Sequence, residues 1–219
     1  MATRLVLNEL AQAYTARTGV HIEIESVGGV DAAQRVQAGE AFDVVFLGAA
    51  AMSKLEASGH LLAQSVVPLV NSATAMAVRS GAPHPDIGNE AAVRAAVAAA
   101  PSVSYSTGPS GVALAALFER WGLAQTLQGR LVTPPPGIPV GSLVARGEVA
   151  LGFQQLSELM HVDGVDIVGV LPPAIAINTI FSGGVCATST QADAVRVLLA
   201  DMASEPASAA KRRQGMEPA

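Results

Sequence analysis

Along the chain, short apolar and β-branched runs alternate with longer stretches in which alanine and leucine recur at helical spacing. His21-Ile22-Glu23-Ile24-Glu25 switches strictly between polar and apolar, the period of a strand with one buried face. Residues 43–47, 75–78, 103–105, 150–153 and 166–170 are further short apolar runs and are predicted as strands. Helices are predicted over 2–17, 31–38, 51–58, 89–99, 110–121, 140–146, 191–203 and 206–214. In the first of these, Leu5, Leu7, Leu10, Ala11 and Tyr14 are interleaved with Arg4, Asn8, Glu9 and Gln12. That is an amphipathic helix and not the unbroken apolar stretch of a secretory signal, so as written the chain carries no export address and would be cytoplasmic if Met1 is the native start. Strands alternating with helices indicate an α/β fold of mainly parallel sheets flanked by helices.

Two internal echoes suggest how the elements are grouped. "VQAGEAFDVVF" at 36–46 and "VARGEVALGFQ" at 144–154 both read as helix end, Gly-Glu turn and strand. "ESVGGVDAAQRV" from Glu25 and "YSTGPSGVALAAL" from Tyr105 both run from a strand through serine and glycine into a helix. Each half holds one copy of each, the arrangement expected of two similarly built lobes. Crossovers are expected at residues 70–74 and 172–179, the second returning a last strand and two helices to the first lobe. The expected lobes are 1–72 plus 178–219, and 73–177, with the ligand cleft between them and hinge closure as the expected motion.

Composition narrows the classes. With 219 residues, half of them apolar, the chain can bury a substantial core. A net charge of −5 excludes a nucleic-acid binder, and the one basic run, Lys211-Arg212-Arg213, reads as a solvated helix face. The single cysteine, Cys186, permits no internal disulfide and no thiolate zinc site, and its apolar surroundings suit a buried small residue. Scattered acidic residues offer no metal cluster. No apolar run reaches the length of a membrane span, so no membrane insertion is expected, and no cofactor is implied.

The chemistry concentrates where strands give way to helices. After Pro109, residues Leu114, Leu117, Phe118 and Trp121 share one helix face and Gly122 is placed to end it. Pro109 suits the first turn, with Thr107 or Gly108 as the cap. First-turn amides carry partial positive charge, and Ser106, Thr107 and Ser110 place hydroxyls beside them, with Gly111 allowing close approach; together they form an anion site without a cationic side chain. A merely well-capped helix is the alternative that this stretch leaves open. Ser26, Gly28 and Gly29 form a second start of the same kind. Gln154 and Gln155 end a buried strand and can both donate and accept.

On these residues the chain resembles a known family. "TGVHIEIESVGGV", "VQAGEAFDVVFL", "SVSYSTGPSGVALAALFERWG" and "VGSLVARGEVALGFQQLSEL" are similar, in the same order over nearly the whole chain, to molybdate-binding periplasmic proteins of ABC transporters. The resemblance implies a two-lobe type II periplasmic-binding-protein fold that holds a small anionic ligand between hydroxyls and backbone amides, with an ABC-transporter membrane component as partner and a periplasmic location. It assigns Ser26 as a first-lobe hydroxyl, Ser110 as the helix-start amide, and Val140 or Gly141 as an amide of the next helix. Two departures stand out: the family's first strand and its serine loop are missing ahead of Met1, and Gln154 stands where the family tends to place tyrosine. The second change suits a larger polar ligand, and "GFQQLSEL" resembles a branch similar to aconitate isomerase. Isomerisation of a tricarboxylate by an allylic proton shift needs a base and donors for the developing enolate. His21, His60, His84 and His161 all fall outside the cleft motifs, which leaves Tyr105, Ser106 and Arg4 as the candidates for that chemistry.

Overall fold

In the computed structural model, which describes residues 2–135 and 137–219, the elements follow the sequence order α1 (Arg4–Thr18), α2 (Gly29–Gln37), β1 (Val44–Gly48), α3 (Ala49–Ala57), β2 (Val67–Arg79), α4 (Glu90–Ala99), β3 (Val103–Tyr105) and α5 (Pro109–Arg120). There follow α6 (Val140–Ala145), β4 (Leu151–Gln155), α7 (Leu156–Leu159), β5 (Val165–Val170), β6 (Asn178–Val185), α8 (Ala192–Ala203), α9 (Ser208–Arg213) and β7 (Met216–Pro218). The chain divides into two units, Met1–Ser72 with Ile180–Ala219, and Ala73–Thr179. Among the described residues no helix is long and apolar enough to cross a membrane.

In the first unit β1 pairs antiparallel with β6 from Val44↔Val185 to Gly48↔Phe181, and β7 pairs antiparallel with β2 at 70–72. Its largest core joins Val6, Leu7, Leu10, Ala11 and Tyr14 of α1 to Leu198, Leu199 and Met202 of α8, the spacing of one buried face on each helix. Cys186 is buried, and burial together with Asp43 pushes its thiol up to about 11. One basic position departs from the expected solvated face: Lys211 is 1% exposed, and burial lowers its ammonium pKa. Arg212 and Arg213 reach Glu217 and Glu9, so a six-residue helix carrying three adjacent cations turns one of them inward.

In the second unit β2 is flanked by β4 (Thr74↔Gln155 to Ala77↔Gly152) and β5, both antiparallel, while β4 pairs parallel with β3 (Val103↔Leu151 to Tyr105↔Phe153). Phe153, Met76, Val93, Val97, Leu114 and Phe118 form the centre of its core. Gly152 has no room for a side chain, since a Cβ there would come within 2.5 Å of Val144 and 2.9 Å of Val140, and this lets α6 lie directly on β4.

The α/β class stands, with two local differences from expectation. Pairing is mostly antiparallel among the registers described, because the long strand β2 meets β4, β5 and β7 head to tail, leaving β3 with β4 as the parallel pair. The predicted strand 21–25 is not one: Ile22 and Ile24 turn into the first core while His21, Glu23 and Glu25 stay exposed, yet among the described residues no backbone–backbone hydrogen bond holds 21–27. Period two sets which side chains face inward; a strand also requires a neighbouring backbone. The echoed turns do match, Gly39 and Gly147 ending α2 and α6 at φ 78° and 73°.

Candidate functional site

The parallel register of β3 and β4 brings their carboxyl ends level, so Ser106 and Gln154 each follow a paired strand residue, Tyr105 and Phe153. Beyond them the chain enters α5 and α7. Gly108 is the N-cap of α5 and Pro109 its first residue; the cap has no side chain, so none of the helix's first amides is capped by it. The Gly108 carbonyl accepts from Gly111 (3.0 Å) and Val112 (3.2 Å), while the amides of Thr107, Gly108 and Ser110 find no acceptor among the described residues. Ser106 Oγ and Ser110 Oγ lie 3.1 Å apart in a hydrogen bond, Ser110 being fully buried and Thr107 exposed. Gly111 is what brings this loop onto the helix: a Cβ there would sit 1.5 Å from the Ser106 carbonyl oxygen. The start of α5 is therefore a cluster of hydroxyls and free amides with no cationic partner, suited to a negatively charged oxygen.

On β4, alternation sends Phe153 into the core and Gln154 toward α6, whose Gly141 amide donates to Gln154 Oε1 at 3.1 Å. The amide expected at Val140 or Gly141 is thus committed in part to a protein partner: Gly141 to Gln154, with Val140 buried as the first residue of α6. Gln155 Nε2 donates to Thr179 Oγ1 at 2.9 Å, but its Oε1 is buried without a partner, as is Oγ1 of Thr74 directly across the ladder. A buried acceptor left open beside a buried hydroxyl is ready for a donor such as a ligand hydroxyl or a protonated carboxyl.

Glu158 is the residue that sequence reasoning passed over. It lies in α7, four residues after Gln154. Burial holds the Glu158 carboxyl above the usual range. Gln154 belongs to β4 and Glu158 to α7, so no helical spacing in the sequence marks the two together.

The remaining candidates are placed as follows. Tyr105 sets its ring edge-on to Phe118 at 5.8 Å, and burial, then Glu119, raises its pKa, so the phenol stays a neutral donor. Arg4 is the exposed first residue of α1 in the first unit. Ser26 is exposed in the unpaired segment, while Gly28 caps α2 and Gly29 begins it; Asp31 already puts a carboxylate in that first turn, its oxygen 3.2 Å from where a Gly28 Cβ would be. The start of α2 supplies its own counter-charge, whereas the start of α5 does not. Among the described residues no group of three or more His, Cys, Asp or Glu could hold a metal ion.

The comparisons agree with this architecture. The chain aligns at 42% identity over 220 residues with an aconitate isomerase from Pseudomonas sp., covering 97% of this chain and 83% of that protein. Its fold matches the periplasmic molybdate-binding protein of Azotobacter vinelandii with a TM-score of 0.79 at 19% identity (98% and 95% covered), and L-phospholactate-bound PEB3 with a TM-score of 0.74 at 13% identity (99% and 96% covered). The Azotobacter protein is a periplasmic binding protein of type II fold. The family model for bacterial extracellular solute-binding proteins matches residues 1–217, and the chain belongs to that family.

Proposed function

We propose that this chain is an isomerase built on the solute-binding fold, binding aconitate in the second unit and interconverting its cis and trans forms. The observation that carries the reading is the cluster at the ends of β3 and β4, where Ser106, Ser110, the free α5 amides and the two glutamines supply neutral donors and one open acceptor. A tricarboxylate presents several carboxylate oxygens at once, and neutral donors in a sheltered site hold them while also stabilising charge that develops on one of them as an enolate forms. The 42% relative supports the same reading, and the glutamine pair suits a larger polar ligand than a compact tetrahedral oxyanion. Proton NMR of the protein with cis-aconitate is expected to show the trans isomer growing in; unchanged spectra over a long incubation overturn the reading.

A second reading rests on the family itself: a periplasmic binding component that delivers a small anion to an ABC transporter. The same donor cluster would serve it. The 42% identity with an aconitate isomerase favours the organic acid.

A further inference from the structure

Resting on the reading that the second unit takes a tricarboxylate, we propose that Thr74 and Gln155 form a subsite for a hydroxyl group, which makes hydroxylated tricarboxylates a further class of ligand for this chain. The two residues face each other across the antiparallel ladder of β2 and β4, so their side chains leave the same side of the sheet. Thr74 is 1% and Gln155 3% exposed, and among the described residues neither Thr74 Oγ1 nor Gln155 Oε1 has a hydrogen-bond partner. Bonds made elsewhere hold both in place. Gln155 Nε2 donates to Thr179 Oγ1 at 2.9 Å, and the backbone of Thr74 donates to the Ile177 carbonyl at 2.9 Å and accepts from the Leu171 amide at 3.1 Å. Gln155 ends β4 two residues past Phe153, which is level with Tyr105, so the pair stands at the end of the sheet where the chain also leaves β3 for α5.

The chemistry of the two open atoms selects the group. Gln155 Oε1 can only accept, whereas the Thr74 hydroxyl can donate and accept. One hydroxyl placed between them satisfies both, donating to Gln155 Oε1 and accepting from Thr74 Oγ1. A carboxylate would serve Thr74 but would set a negative oxygen against that of Gln155, and the carboxyls of a tricarboxylate are ionised at neutral pH. An acid without a hydroxyl leaves the same place to a water molecule, whose bonds a ligand hydroxyl reproduces on displacing it. Ser104 Oγ is also buried and open, but its ladder partner is Gly152, which has no side chain to share a ligand.

The test is calorimetry with citrate, trans-aconitate and tricarballylate, the last differing from citrate only in a hydrogen where citrate has its hydroxyl. Wild type is expected to bind citrate about tenfold more tightly than tricarballylate, the effect of two added hydrogen bonds to buried groups. Thr74→Val keeps the shape and the backbone bonds of Thr74, and it is expected to bring that ratio to about one while tricarballylate affinity stays within about threefold. Gln155→Leu removes the acceptor from the other side of the ladder and decides the matter if T74V does not fold, as melting curves of each variant show. Equal affinity of wild type for citrate and tricarballylate, or a ratio that survives both substitutions, overturns the hydroxyl subsite alone. Failure of all three acids to bind overturns the tricarboxylate reading beneath it.

Discussion

Gln154 has the oxygen of its amide claimed by the Gly141 N–H, a contact from β4 to α6. Glu158, in α7 just beyond, weakens the fold by its burial. A carboxyl whose pKa is raised on folding binds protons more readily when folded, so stability falls as pH rises from the unfolded value through the raised one, and the loss is complete above it. Glu158→Gln removes the ionisable group, so it is expected to melt above wild type at about pH 7, with the difference closing toward about pH 4 where the unfolded glutamate also protonates. Melting curves across that pH range check it, and a variant that melts lower at neutral pH counts against a desolvated, ionised Glu158. Stability given up at one position in this way is common where a protein does chemistry.

At the scale of elements, α5 and α2 show how similar sequences make different sites. Both follow serine and glycine out of the preceding segment, but Asp31 supplies an anion in the first turn of α2, while α5 has none and keeps free amides. Position 111 controls the second case. Gly111→Ala places a methyl group 1.5 Å from the Ser106 carbonyl oxygen, so the loop must move off the helix; a loss of about 1–3 kcal/mol is expected from the overpacking, along with loss of ligand-induced stabilisation. Gly108→Ala is the control: its φ of −82° is open to any residue and the nearest atom to a new Cβ is 3.9 Å away, so thermal melts should leave it near wild type. Equal effects of the two substitutions would mean that close approach at 111 does not build the site.

For the whole molecule, ligand choice separates the two functional readings. A ligand present at a hundredfold its dissociation constant adds about 2.7 kcal/mol to the folded state. In a thermal-shift panel, cis- and trans-aconitate and citrate are expected to raise the melting temperature while molybdate, tungstate and sulfate leave it unchanged. A molybdate response without an aconitate response supports the transport reading instead.

Much of this was legible in the chain. The apolar stripe Leu114, Leu117, Phe118, Trp121 and the stop at Gly122 located α5 to within a residue, because helical periodicity and a φ of 71° at the terminating glycine are local properties. The paired Gly39 and Gly147 turns were local in the same sense. Pairing was not: the sequence put Ile22 and Ile24 on one face but could not say whether another backbone lay beside them, and it could not reveal that β2 runs for thirteen residues through a segment expected as a crossover. Lys211 became buried because α9 had to turn one side inward, a decision made by what it packs against. The same holds for the chemistry. Ser106, Ser110 and the glutamines announced themselves by type and by position at strand ends, whereas the raised pKa of Glu158 comes from burial, which exists only once the chain is folded.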